Sequence, residues 1–146
     1  MKVLSYGTFI VDYVYSVDLI SVVGETQHSS KMEICSGGKG LNQSIALAKA
    51  GVPVYHAGIV GNDGDILLDA CKEAGVNTKY IRRLPVKGGH TMIQVDKNAQ
   101  NCIILYGGTN QMQTREFVDE VLADFGEGDY LILQNEINML DYIIDQ

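Results

Sequence analysis

The chain has 146 residues, 46% of them hydrophobic and 20% charged, and a net charge of −7. That is the make-up of one ordinary globular domain with enough apolar material for a core, and no apolar run reaches membrane-spanning length. The acidity is confined to the end: residues through Gln113 are nearly balanced, while the segment from Thr114 onward holds nine acids against Arg115 alone. Neither part is a basic patch, which argues against nucleic acid as a partner. The acidic end reads either as solvated helix faces or as a surface meeting a more basic segment.

Cys35, Cys71 and Cys102 are odd in number and form no CxxC pair, and His28, His56 and His90 stand isolated. A disulfide framework or a metal site is therefore not expected, and a reducing, cytoplasmic setting is the default. The apolar start, interrupted by Asp12 and followed by no small-residue cleavage site, reads as a strand and not as a signal peptide.

In chain order, "KVLSYG" is a short apolar run closed by Gly7, a buried strand. "VDYVYSVDL" alternates, with Val11, Tyr13, Tyr15, Val17 and Leu19 on one side and Asp12, Ser16 and Asp18 on the other. "SSKMEI" alternates again after the polar "VVGETQHS". Period-two alternation marks half-exposed strands, so a small sheet flap is predicted beside a fully covered core. "VPVYHAGIVG" is a strand, "GNDGD" a turn whose acids can cap the next helix, and "ILLDACKEAG" that helix, stopped by Gly75. The unit helix–AGV–strand occurs twice, which is the pattern of a layered α/β domain.

Further on, "HTMIQVD" and "NCIILYGG" are two strands joined by "KNAQ". "TREFVDEVLADFG" is an amphipathic helix with Thr114 as N-cap and Gly126 as stop. "DYLILQ", apolar throughout, predicts a central strand covered on both faces. "NEINMLDYIIDQ" starts a further helix that ends without punctuation, which suggests a truncation.

The stretch "CSGGKGLNQSIALAKAG", Cys35 to Gly51, places Lys39 among Gly37, Gly38 and Gly40 at the start of an alanine-rich helix. The familiar nucleotide motifs do not fit it: Gly40 stands where a P-loop needs Ser or Thr, and Gln43 where GxGxxG needs its last glycine. What is left is a helix amino-terminus with exposed amides, a fixed cation and the amide of Asn42. Such groups favour oxygen-rich ligands. With acceptors from Asp12 this is the mixture a polyhydroxylated ligand needs. On the residues alone the plainer reading also stands: a solvated Lys39, a first-turn Asn42 and an Asp12 on the wet face of a strand.

"GGKGLNQSIALAKAG" resembles the amino-terminal signature of the ribokinase-like carbohydrate kinases, the phosphofructokinase B family. "YGTFIVDYVYSVD" resembles the family's first strand with its sugar-binding aspartate, and "GIVGNDGD" the strand and turn after the signature helix. "YGGTNQMQT" and "DYLILQNE" resemble later strand-and-loop units, the second ending in a sugar-contacting glutamate. The order holds from about Ser5 to Glu136. The resemblance implies an α/β fold, a ribokinase-like layered sheet with a small β-sheet lid (strands at approximately 11–35 and 89–106). It implies ATP- and Mg2+-dependent phosphoryl transfer to a sugar hydroxyl, with Asp12, Gly38, Lys39, Asn42 and Glu136 binding the sugar. It also implies pairing of two chains through the lid.

Three departures qualify what the resemblance implies. Ribokinase proper carries asparagine where Ile10 stands, which admits another pentose, a hexose or a nucleoside in place of ribose. Ile66 replaces the family's usual turn glycine, leaving Gly61 and Asp63 as turn and cap. The glycine-rich GAGD segment, with its base aspartate and nucleotide site, has no counterpart, so no catalytic residue is nominated in this chain and a piece ending here is expected to lack turnover. A non-catalytic sugar-binding or lid-mediated dimerisation module is the alternative. A third reading is a kinase of phosphosugars, in which Lys39 meets a substrate phosphate.

Overall fold

Strand β1, Val3–Tyr6, is buried at all four positions, and its alternating side chains divide the core in two. In the computed structural model, which describes residues 1–146, Val3 packs with Leu41, Val54, Val60 and Leu67. Leu4 and Tyr6 point the other way, into a second cluster with Phe117, Val118 and Val121. Helices α1, Lys39–Lys49, and α2, Asp65–Ala74, cover the first face. Helices α3, Arg115–Leu122, and α4, Leu140–Asp145, cover the second. Full burial of aliphatic and aromatic side chains contributes about 1.5–3 kcal/mol each before ordering entropy is subtracted, so this two-sided strand is the natural centre of the fold. No helix is long and apolar enough to cross a membrane.

Around β1 runs a four-stranded parallel sheet of order β5-β4-β1-β8, with β4 at Val54–Val60, β5 at Asn77–Arg83 and β8 at Tyr130–Leu133. The two helix–AGV–strand units form as predicted, and Gly51 and Gly75 end α1 and α2 with positive φ of 85° and 80°. A second sheet of order β3-β2-β6-β7 stands apart, built from β2, Ile10–Ser16, β3, Lys31–Gly37, β6, His90–Val95, and β7, Asn101–Tyr106. Its β2–β3 and β6–β7 pairs are antiparallel, and β2–β6 is parallel.

Several local expectations are corrected. The apolar "DYLILQ" run is an edge strand: β8 pairs with β1 alone, and Tyr130 and Leu131 are 59% and 42% exposed. A continuous apolar run encodes a capacity for burial, not the presence of a neighbour. The alternating run ends at Ser16 and not at Leu19, because β3 begins and β6 ends opposite Ser16 and the ladder is exhausted there. Helix α3 stops at Leu122, four residues before Gly126. Asp124 and Phe125 follow in tighter turns bonded to Val121 and Leu122, and the Gly126 N–H goes to Asp129.

The acids of "GNDGD" do not cap α2, whose N-cap is Gly64 without a side-chain bond. Asp63 turns away to accept the Gly88 N–H at 2.9 Å and to pair with Lys87 at 2.7 Å. Burial alone would push the Asp63 carboxyl up, but these partners outweigh it and hold it below the usual carboxylate range. The last helix begins at Leu140 instead of at Asn135, so Glu136 lies in a turn and not in a helix. Asn138 draws the backbone out of helix there by bonding Gln113.

Candidate functional site

The strand order reverses beside β1: α1 leads to β4 on one side of it, while the connection from β5 through β6, β7 and α3 returns to place β8 on the other. Ligands of open α/β sheets gather beyond the carboxyl ends of the strands at such a point. A hollow of about 350 Å³ opens there, between the parallel sheet and the second sheet. All five residues singled out from the sequence line it: Asp12 from β2, Gly38, Lys39 and Asn42 from the start of α1, and Glu136 from the turn after β8. A second hollow of about 360 Å³ beside β8 is lined mostly by apolar groups, and its Asp129 is already bonded to the Lys2 N–H at 2.6 Å. It offers little to orient a small polar ligand.

The glycines of the loop are explained by contact with the β1–β2 turn. Gly38 has φ 100°, and a Cβ there would lie 2.8 Å from the Thr8 carbonyl oxygen. A Cβ on Gly40 would lie 2.5 Å from the Thr8 nitrogen and 2.7 Å from the Gly7 carbonyl carbon. Backbone-to-backbone packing this close admits no side chain. It also uses up amides expected to be free: the Leu41 N–H donates to the Thr8 carbonyl at 3.1 Å, and the Gly40 N–H to the Thr8 hydroxyl at 3.3 Å. The helix start is thus less open than its sequence suggests.

Thr8, 2% exposed, was not apparent as a site residue, yet it joins the loop to the carboxylate. Its hydroxyl donates to Glu136 Oε2 at 3.3 Å, while Lys39 Nζ donates to Glu136 Oε1 at 2.5 Å. Asp12 is half-buried and held by the Thr91 hydroxyl, which donates to Oδ1. Asp12 and Lys39 thus each have a side-chain partner at the hollow, although the Lys39 side chain stays 70% exposed. The only local signal for Thr8 and Thr91 was a hydroxyl inside an otherwise apolar run.

Beneath the loop, His56 is fully buried between Ser44, 2.7 Å from Nδ1, and the Gly7 carbonyl, 3.3 Å from Nε2. Burial pushes its imidazole down to about 4, against a smaller upward pull from the Gly7 carbonyl. The neutral ring therefore donates through Nε2–H to Gly7 and accepts from the Ser44 hydroxyl at Nδ1.

Opposed carboxylates, one ammonium and the side-chain amides of Asn42 and Gln111 give the hollow both donors and acceptors, as hydroxyl groups require. The wall supplied by the second sheet, which carries Asp12, is otherwise largely aliphatic, formed by Ile10, Ile93, Ile103 and Leu105. The donor set does not fit a nucleotide triphosphate, because Lys39 is the one basic residue of the hollow and it is paired with Glu136.

Fold and cleft together define an α/β protein with a hollow of small-ligand size between a parallel sheet and a lid-like second sheet. The chain belongs to the pfkB family of carbohydrate kinases, whose family model matches residues 1–142. It is 33% identical over 140 residues to a ribokinase of Staphylococcus aureus, covering 93% of this chain and 46% of that protein. It is 29% identical over 142 residues to a deoxyribokinase of Salmonella typhi, covering 95% of this chain and 46% of that one. Among solved structures, Arabidopsis thaliana ribokinase complexed with ribose and ATP superposes with a TM-score of 0.79 at 27% identity, over 93% of this chain and 46% of that one. The fold is ribokinase-like, and the chain spans about half the length of the curated relatives it matches.

Proposed function

We propose that this chain is the sugar-binding half of a pentose kinase, with Asp12, Gly38, Lys39, Asn42 and Glu136 holding the sugar hydroxyls. One observation carries this reading: residues spread from Asp12 to Glu136 converge on a single hollow of ligand size in a carbohydrate-kinase chain. Phosphoryl transfer gains chiefly from holding the acceptor in line and stabilising charge, and this half contributes the holding. The ATP, Mg2+ and general base of the family's chemistry have no fitting residues in the hollow, and no step is derived through them. By this reading the chain binds sugar without turning it over.

The aliphatic wall favours a sugar lacking one hydroxyl. Pressing a hydroxyl against Ile10 strips its water without replacing the hydrogen bond, a cost of about 1–3 kcal/mol. A deoxypentose therefore fits better than ribose, a preference consistent with the name of the Salmonella relative. Calorimetric titration with D-ribose, 2-deoxy-D-ribose and D-fructose tests both points. The expected order is 2-deoxy-D-ribose tightest, with binding weakened in Asp12→Asn and Lys39→Ala. Failure of the wild-type chain to bind any pentose, or unchanged binding in both variants, overturns the reading.

A further inference from the structure

Asp12 rides on the second sheet, while Glu136 sits on the turn after a strand of the parallel sheet, and no ladder hydrogen bond runs between the two sheets. A ligand that touches both carboxylates needs their separation fixed by something else. The chain supplies side-chain amides at that seam, grouped on and around the 3-10 turn Gly108–Gln111.

Asn110, 1% exposed, grips both backbone groups of Phe9: Oδ1 accepts the Phe9 N–H at 2.9 Å, and Nδ2 donates to the Phe9 carbonyl at 2.7 Å. Phe9 falls between β1 and β2, is itself fully buried, and leads directly into Ile10 and Asp12. Asn138 grips Gln113 in the same two-point way, at 2.9 and 3.0 Å. The two clamps are joined, since the Asn138 N–H donates to the Asn110 carbonyl at 3.4 Å. Gln111 Nε2 donates to the Glu136 carbonyl at 2.9 Å. The assembly is anchored to the parallel sheet by the Thr109 hydroxyl on Ile59 at 2.8 Å and by the Tyr6 hydroxyl on Gln113 at 3.1 Å.

We propose that Asn110 and Asn138 are positioning residues: two linked amide clamps that set the distance between Asp12 and the Glu136–Lys39 pair. A carboxamide presents a donor and an acceptor side by side, as a peptide does. A leucine or aspartate of similar size would leave at least one backbone group at the seam unpaired. Asn110 spends its amide on Phe9 although it borders the hollow, and Asn138 does not border it at all. Both act through the residues they hold. The proposal rests on the sugar-site reading above, and Asn138 separates the two because it can be altered without touching ligand.

The test is an NMR titration of the 15N-labelled chain with 2-deoxy-D-ribose and D-ribose, in wild type, Asn138→Ala, Glu136→Gln and the double variant. Asn138→Asp, which keeps the acceptor for the Gln113 N–H, replaces Asn138→Ala should the latter not fold. Displacement of the held group predicts sugar binding roughly tenfold weaker in Asn138→Ala, and no further loss when that change is added to Glu136→Gln. Equal losses on both backgrounds overturn the proposal while leaving the sugar site standing, since a general loosening of the fold is additive. Should wild type bind neither sugar, the site reading falls, and the clamps are judged on the sugar-free spectra. Shifted Lys39 and Gly40 amides in Asn138→Ala then support them, and unmoved ones refute them.

Discussion

Lys39 and Glu136 stand 97 positions apart in the chain and meet at 2.5 Å across the carboxyl ends of β1 and β8. The lysine side chain is 70% exposed, and pairs this open to water contribute about 0.2–1 kcal/mol to stability. Removing the ammonium should therefore scarcely move the melting temperature of Lys39→Ala, while pentose affinity falls roughly tenfold or more, as for loss of a charge-assisted hydrogen bond. Thermal unfolding and titration on the same samples check the dissociation of the two effects.

Gly40→Ala should do the reverse and damage the fold. Its new methyl would press on the Thr8 nitrogen and the Gly7 carbonyl carbon, both backbone atoms that cannot swing aside. Overpacking of this kind costs about 1–3 kcal/mol, to be read as a lowered urea midpoint with an unchanged slope.

His56 makes the fold sensitive to acid. Its folded pKa, about 4, lies below the ordinary value of 6.5, so in the range between them the unfolded chain binds the proton first. The contribution is complete above pH 6.5 and is lost as pH falls towards 4. By linkage the loss at pH 4.5 is about 2–3 kcal/mol. Urea unfolding at pH 7.5 and 4.5 measures it, and His56→Gln should flatten the difference between the two.

Ile10→Asn should restore a donor and an acceptor to the aliphatic wall. Ribose should then gain on 2-deoxy-D-ribose by roughly tenfold, the worth of one net hydrogen bond. A ratio left unchanged would mean that the wall does not face the sugar carbon concerned.

Two exposed apolar strands are the candidate sites should the chain self-associate. On β7, Ile104 and Leu105 are 66% and 60% exposed along a strand with one free edge; in the parallel sheet the free edge of β8 carries Tyr130 and Leu131. Pairing through the lid predicts that Ile104→Lys lowers the sedimentation mass and Leu131→Lys does not. The opposite result would assign association to β8.

What could be read in the chain, and what could not, follows from the range of each interaction. Gly51 and Gly75 were legible because a helix stop is decided by a residue's own φ, and Thr114 because an N-cap reaches only to Phe117. The hairpin from His90 to Tyr106 was legible for the same reason. Asp12 and Lys39 were singled out through the resemblance of the first strand and the glycine loop to a family signature, since on local pattern alone Asp12 falls on the polar side of an alternating strand. Thr8, Asn110 and Asn138 were not legible, because every side-chain partner is distant in sequence: Gly40 and Glu136 for Thr8, Phe9 for Asn110 and Gln113 for Asn138. The edge position of β8 was hidden because strand order is a property of the sheet, and Asp63 misled because Lys87 and Gly88 outbid a nearby helix end.

The hollow takes one wall from each sheet, and this has a thermodynamic corollary. An occupant bonded to both Asp12 and Glu136 would act as a crosslink, narrowing the range of angles the second sheet can adopt against the parallel sheet. Reciprocity of linked equilibria then requires that an external brace favouring the bound arrangement of the second sheet tighten the grip on the occupant by the same factor. Retention of an occupant and the docking of another surface on the second sheet would become one coupled quantity, measurable from either end.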